Sequence, residues 1–481
     1  MIEDNEREIH EALASDLGRD EMENCTTDVM GIKMDILDHI NNVEKWAVTG
    51  PVPGSDIVGF ISRARIRRES RGVMFVIGTW NFPFILTLQP VIAAIAAGCC
   101  VVIKLSELAT ASERSMASLV SKYMDQSCIR LVTGGPEETT RFLEHKFDHI
   151  LFTGSTKIAR FVAAAAKHLT PVTLELGGQC PAIITKTADI ELSAKRIALA
   201  TFSNAGQICL SVNHVLIGPA VHDAFVARLE HWTRKFTAAG QMCRIMNQRN
   251  HDRLTSFLDK SHGTIIRCGP GPSGDCGMAP VIVTGVKTTD AIMTEELFGP
   301  ICPVIACSTE DTIAVTNNLP RPLALYIFSS DKKETEYIQD RAISGGVTIN
   351  DTLFHAGIPN APFGGVGDSG MGFFHGEHGF LSFTHLRTVA APPTWLDRFM
   401  GFRYPPFDTK NKGMFAISNM GKFQRGETLQ DQKVGFGRPW RRAALGLCLA
   451  ACLAYYYRYP AIYERALSYA RNALLRLNVS L

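Results

Sequence analysis

The sequence predicts an α/β fold built on parallel sheets with helices on both faces. Two observations carry this. From Gly72 onward, runs of three to six mainly β-branched and aromatic residues alternate with helix-length segments, as strands buried on both faces require. The 481 residues also exceed the size at which one hydrophobic core stops growing, so two or three domains are expected.

Ahead of that series, residues 3–16 place Ile9, Leu13 and Leu17 along one side of an amphipathic helix, and residues 29–46 form a second. Pro51-Val52-Pro53-Gly54 breaks the pattern, and 58–67 then reads as an extended, basic, protruding strand. The parallel series takes in 73–77, 101–103, 129–132, 149–152 and 182–184, a doubly wound arrangement. A second α/β series follows Glu175, with helices at 221–236 and 311–317 and strands at 323–328 and 346–349.

Beyond about Val389 the chain is rich in Pro, Gly and charge as far as Gly437, which suits a linker or a surface extension. Residues 443–457 are apolar and bracketed by Arg441-Arg442 and Arg458. That stretch is shorter than the about 20 residues that cross a bilayer core, yet its tyrosines and flanking arginines suit a membrane interface. Because it lies past the last α/β element, membrane contact is the reading taken over a buried core helix. Residues 466–477 are amphipathic and suit a membrane surface.

Lys plus Arg number 49 against 47 Asp plus Glu, a net charge of +2, so no general field draws the protein to nucleic acid. The 13 cysteines are odd in number and irregularly spaced, and the start Met1-Ile2-Glu3-Asp4-Asn5-Glu6 is too acidic for a secretory signal. Free thiols in a reducing compartment are expected. Cys99 and Cys100 read as core fillers, and no Cys/His cluster has zinc spacing.

The chemistry centres on Gly206-Gln207-Ile208-Cys209, where small residues let a backbone and a substrate approach closely, with Glu175-Leu176-Gly177-Gly178 upstream. A thiol attacks a carbonyl carbon, and a carboxylate can later deprotonate the water that releases the product. A thiol protease pairing Cys209 with His214 is the competing reading, but five residues of separation give no special claim to proximity. Trp80-Asn81-Phe82-Pro83 follows a strand, and an asparagine amide is a neutral donor suited to an oxyanion. Phe152-Thr153-Gly154-Ser155 follows another strand and opens a helix, where free N–H groups meet phosphate.

Together with Lys104-Leu105-Ser106-Glu107, Glu295-Glu296-Leu297-Phe298-Gly299-Pro300 and Pro362-Phe363-Gly364-Gly365, these segments resemble the aldehyde dehydrogenase superfamily. The stretch 168–174 and Ser369-Gly370-Met371-Gly372 with His375-Gly376 resemble its class 3, or fatty aldehyde, branch. The resemblance runs from about Asp16 to Thr388. It implies a Rossmann-type dinucleotide-binding domain (1–51 and 71–176), an α/β catalytic domain (177–362) and oligomerisation strands (52–70 and 380–395). A linker (396–439) and a membrane-associated C-terminal helix (440–481) complete the expected plan.

Position by position, the resemblance implies that Cys209 is the nucleophile, Asn81 the oxyanion donor and Glu175 the deacylating base. It places Lys104 and Glu107 at the adenosine ribose, Ser155 at the pyrophosphate, and Glu296 and Phe298 at the nicotinamide ribose and ring. Thr79, Trp80, Gly154 and Gly177 join the cofactor-binding set. NAD is expected because Glu107 would repel a 2′-phosphate, with NADP possible. A homodimer acting on long-chain aldehydes at the cytoplasmic face of the endoplasmic reticulum membrane is the leading expectation. The alternatives are a soluble enzyme for aromatic or medium-chain aldehydes and a membrane-bound pseudoenzyme. The last rests on a short N-terminal region, on Leu105 where the family has proline, and on Ala159, whose methyl replaces a glycine near the pyrophosphate.

Overall fold

The computed structural model describes residues 1–54, 57–165 and 168–409. Met1–Pro392 form one compact unit; the described part of a second consists of two short 3-10 turns, Thr394–Phe399 and Gly401–Arg403. The expected membrane-associated tail at 440–481 and most of the expected linker at 396–439 lie outside the described residues. Among the described residues, no helix is long and apolar enough to cross a membrane.

The first sheet has six strands, in the order Gly370–Met371, Val172–Glu175, His149–Thr153, Val73–Ile77, Cys100–Lys104, Ile129–Val132. All pair in parallel except Gly370–Met371, which runs antiparallel to Val172–Glu175. Strand alternation sends Met74 and Val76 to the core beneath the N-terminal helices, and Phe75 and Ile77 to the core on the other face. The strand order reverses between Val73–Ile77 and His149–Thr153, and in open parallel sheets ligands bind outside the carboxyl ends at such a reversal.

The second sheet has seven strands, in the order Thr264–Arg267, Val281–Thr284, Ile301–Ala306, His214–Ile217, Pro181–Ile184, Ala324–Phe328, Gly346–Ile349. Only Thr264–Arg267 is antiparallel to its neighbour. A third, antiparallel sheet joins Gly50–Pro51, Arg65–Ser70 and Thr384–Val389.

Two expectations are corrected. Strand Pro181–Ile184 belongs to the second sheet and not to the first series, because Gly178 (φ 145°) redirects the chain straight after Glu175. A side chain there would also sit 3.1 Å from the Pro322 Cα. Residues 58–67 are not one extended segment: Ile57–Ile61 is a short helix that Arg63 (φ 49°) terminates, and the strand starts at Arg65. A short apolar run cannot distinguish helix from strand by periodicity alone.

The methyl of Ala159 does not face a phosphate. Ala159 is 2% exposed within helix Thr156–Ala165 and packs in the core with Phe75, Phe152 and Val162. Restoring glycine removes core contact and helix propensity, a cost of about 1 kcal/mol. Thermal unfolding of Ala159→Gly is expected at lower temperature with cofactor affinity unchanged in equilibrium titration. Tighter cofactor binding at undiminished stability would contradict this placement.

Candidate active site

The segment that delivers Cys209 leaves helix Ile190–Phe202 through a 3-10 turn, Ser203–Gly206. Three successive residues are left-handed there: Asn204 (φ 48°), Ala205 (φ 51°) and Gly206 (φ 72°). For a residue with a side chain this costs roughly 1–2 kcal/mol. Gly206 needs glycine twice over, since an added Cβ would lie 2.3 Å from the Gly299 carbonyl oxygen.

Hydrogen bonds hold the turn. The Asn204 backbone N–H donates to Glu23 Oε1 at 2.7 Å, and its side-chain amide donates to the carbonyls of Gln207 (3.1 Å) and Asn81 (3.3 Å). The Gln207 amide donates to the carbonyls of Asn204 (3.1 Å) and Arg244 (3.0 Å). Beneath them lies the buried Arg19–Asp28 ion pair, 2.6 Å between Nη1 and Oδ2. Helix Glu6–Leu17 ends at left-handed Gly18, so the chain can turn and send Arg19 inward.

Cys209 follows, half-buried and packed against the apolar cluster of Phe82, Ile208, Leu210 and Phe363. Its carbonyl accepts from Cys180 Sγ at 3.4 Å. Burial pushes the Cys209 thiol well above its ordinary value, and the nearby Glu296, Cys180 and Glu175 groups push the same way. Glu175, the last residue of strand Val172–Glu175, is buried, and neither carboxylate oxygen has a hydrogen-bond partner among the described residues. Burial alone raises its pKa well above the usual carboxylate range.

Asn81 is buried at the sheet's order reversal. Its Oδ1 accepts from Thr79 Oγ1 at 3.1 Å and its Nδ2 donates to the Gln207 carbonyl at 3.0 Å. One amide N–H is thus committed to orientation, and an NH2 group has a second to give. His214 is no partner for a thiol protease: it is buried at the start of His214–Ile217, its Nδ1 lies against the Asn213 amide, and its Nε2 has no hydrogen-bond partner among the described residues.

The cofactor set falls into three groups. At the end of strand Cys100–Lys104, the buried Lys104 ammonium binds Glu107 at 3.0 Å and donates to the Leu105 carbonyl at 2.5 Å. Leu105 itself is buried in the core. The Gly154 N–H donates to the Glu175 carbonyl at 3.0 Å, and a Cβ on Gly154 would strike the Phe152 ring at 2.5 Å. Exposed Ser155 precedes helix Thr156–Ala165, its hydroxyl accepting from the Ile158 N–H at 3.4 Å. The third group joins Trp80 edge-to-face with Phe298 (5.4 Å between centroids) and Glu296 against Gly177, where a Cβ would lie 2.3 Å from the carboxylate.

Arg253 and Asn213 fix this last loop. Arg253 donates to the carbonyls of Glu296 (3.2 Å) and Leu297 (2.5 Å), and Asn213 Oδ1 accepts from the Leu297 N–H at 2.8 Å. Burial raises Glu296 to about 7, opposed by a hydrogen bond from Gly178 and the charge of Arg253. The residues present fit a dinucleotide: Lys104 and Glu107 would hold a ribose, the start of helix Thr156–Ala165 with Ser155 the pyrophosphate, and Glu296, Trp80 and Phe298 the nicotinamide end.

Sequence reasoning missed Arg19, Asp28, Asn204, Gln207, Asn213, Cys180 and Arg253. Only Asn204 and Gln207 carried any signal, standing close to Cys209 in a glycine-bearing segment. From the raised thiol pKa, alkylation of Cys209 by iodoacetamide, followed by peptide mapping of the cofactor-free enzyme, should rise roughly tenfold per pH unit through the alkaline range. A plateau reached near neutral pH would contradict the environment described for Cys209.

Residues 1–389 match the aldehyde dehydrogenase family. The chain is 39% identical over 415 residues to beta-apo-4′-carotenal oxygenase of Neurospora crassa, covering 85% of this chain and 78% of the relative. It is 37% identical to aldehyde dehydrogenase family 3 member A2 of Rattus norvegicus, covering 89% of each. It is also 37% identical to the dimeric NADP-preferring aldehyde dehydrogenase of that organism, covering 85% of this chain and 91% of the relative. Among solved structures, the substrate-bound state of Staphylococcus aureus AldH is 34% identical with a TM-score of 0.81, covering 87% of this chain and 92% of that one. Fold, site and kinship agree, and the chain belongs to the aldehyde dehydrogenase family.

Proposed function

We propose that this enzyme oxidises long-chain, apolar aldehydes to carboxylic acids through an acyl thioester on Cys209. The observation that carries the reading is a half-buried thiol at the edge of an apolar core, within electrostatic reach of the buried, unpartnered carboxylate of Glu175. A carboxylate kept free of partners is available to a water molecule.

The Cys209 thiol first gives its proton to solvent water; the thiolate then attacks the aldehyde carbon, and the oxyanion that forms accepts from the free Asn81 N–H and the Cys209 backbone N–H. Bound NAD(P) supplies the hydride acceptor for this carbon. Trp80, Phe298 and Glu296 are the residues that would orient its nicotinamide end. Loss of hydride converts the thiohemiacetal to a thioester. Glu175 then takes a proton from water, the hydroxide adds to the acyl carbon, and the Cys209 sulfur leaves as the acid is released.

NAD is the expected acceptor because Glu107, matched to the adenosine ribose, would repel a 2′-phosphate, with NADP as the second acceptor. A relative named as NADP-preferring supports this latitude. Long-chain preference is supported by the apolar surroundings of Cys209, which packs against the core cluster that includes Phe82 and Phe363; each methylene buried there would contribute roughly 0.8 kcal/mol. A relative named for a carotenal, and the apolar stretch 443–457, point the same way. We assign that stretch to the membrane at the cytoplasmic face, with the endoplasmic reticulum as the expected membrane. The small antiparallel sheet, with Thr384–Val389 at its edge, supports dimerisation, and one relative is named as dimeric.

A base whose pKa is raised is lost as pH falls through that raised value. The pH profile of kcat should therefore lose activity at a pH above the ordinary carboxylate value of 4.5, and Glu175→Gln should abolish turnover while sparing the first burst of reduced cofactor. A profile flat down to that value would contradict Glu175 as the base. Removing residues 438–481 should leave turnover of short aldehydes intact and abolish vesicle binding together with the preference for long chains. Unchanged vesicle binding and chain-length preference would assign the tail no such part.

A further inference from the structure

We infer that Arg19 is a positioning residue, a buried clamp that sets the oxyanion donor Asn81 against the nucleophile Cys209. The inference rests on the roles proposed above for Asn81 and Cys209. Its observation is separate: one guanidinium from the N-terminal segment reaches both loops that must meet for the reaction.

The Arg19 side chain is wholly buried, as is that of Asp28. Its Nη2 donates to the Asn81 carbonyl, and its Nε donates to Asn204 Oδ1 at 3.2 Å. Its Nη1 binds Asp28 at 2.6 Å, and the guanidinium carbon lies 4.5 Å from the centre of the Phe82 ring. Asp28 extends the clamp, because its other oxygen accepts from the Ile85 N–H at 3.0 Å, where the oxyanion loop enters helix Ile85–Ala96. The oxyanion loop is thereby gripped at Asn81 and at Ile85, and the nucleophile loop at Asn204.

Asn204 and Asn81 close the circuit themselves. The Asn204 amide donates to the Asn81 and Gln207 carbonyls, and the Asn81 amide donates to the same Gln207 carbonyl. Every bond in the ring is spanned by Arg19 or by a group Arg19 holds. A buried ion pair is a poor means of stabilising a fold, since well-packed apolar residues serve as well or better. The planar fork of arginine, by contrast, fixes several acceptors in one geometry that lysine cannot reproduce. Oxyanion stabilisation needs such accuracy, and about 1 Å of misplacement can cost about 100-fold in rate.

The test is rapid-mixing measurement of the burst of reduced cofactor in full-length enzyme, for Arg19→Lys, Asn81→Ala and the double variant. Arg19→Lys keeps the charge beside Asp28 and is chosen to preserve the fold; circular dichroism and cofactor affinity report whether it does. The expected result is a burst slowed by about 10- to 100-fold with unchanged KM and cofactor affinity. Because Arg19 sets Asn81 against the nucleophile, the two losses should not multiply, and the double variant should be slowed by less than the product of the single variants.

A burst within about threefold of wild type in Arg19→Lys, with Asn81→Ala impaired, overturns the clamp and leaves the oxyanion reading standing. Independent, multiplying losses in the double variant also overturn it. An unimpaired Asn81→Ala overturns the oxyanion reading and the clamp with it. Should Arg19→Lys not fold, Asp28→Asn, which removes the carboxylate charge that anchors the guanidinium, is read by the same criteria against Asn81→Ala.

Discussion

Three consecutive left-handed residues, Asn204, Ala205 and Gly206, determine where Cys209 points, and the polar interior of the protein is organised around keeping that turn. Left-handed backbone is unfavourable for Asn and more so for Ala, so the conformation persists only where its surroundings over-determine it. Here they do. Glu23 takes the Asn204 N–H, Gln207 and Asn81 supply acceptors, and the Arg19 guanidinium sits beneath. The partners come from the N-terminal helices, from the loop after strand Val73–Ile77 and from the nucleophile segment itself, so the turn joins parts of the chain far apart in sequence.

The electrostatics follow from the same enclosure. Burial disfavours charge, and it raises the thiol of Cys209 and the carboxyls of Glu175 and Glu296 together. Burial favours the protonated form of each group, and for Cys209 the charges of Glu296 and Glu175 add to it. This suits the proposed order of attack before deacylation, since the buried Glu175 carboxyl would ionise only once water enters the site. The cofactor side uses a different device, close backbone approach. Gly154 and Gly177 lie where a side chain would strike Phe152 or Glu296, so the chain can pass tightly beside the residues that would hold the dinucleotide.

Much of this was legible in the sequence because the chemistry is concentrated in short segments. Cys209 and Glu175 announce themselves through local glycines, and Asn81 and Ser155 through their places after predicted strands. What was not legible depends on long-range packing. Nothing local marks Arg19 as the partner of Asn204, 185 positions away. The short helix at Ile57–Ile61 was missed because a compact apolar run fits either period. Strand Pro181–Ile184 suits either sheet by composition, and the backbone of Gly178 makes the choice. Ala159 misled for the opposite reason: a motif position drew attention to the phosphate, whereas the methyl points into the core.

The central claim is that the acyl group passes through one sulfur, that of Cys209, and leaves only when Glu175 activates water. Peptide-mapped mass spectrometry of Glu175→Gln protein, acid-quenched after mixing with NAD and a long-chain aldehyde, tests it most directly. The account predicts a single acyl adduct on the peptide that bears Cys209, accumulating to about one per chain. Finding Cys209 unmodified while reduced cofactor has formed, or finding the acyl group on another of the 13 cysteines, would contradict it.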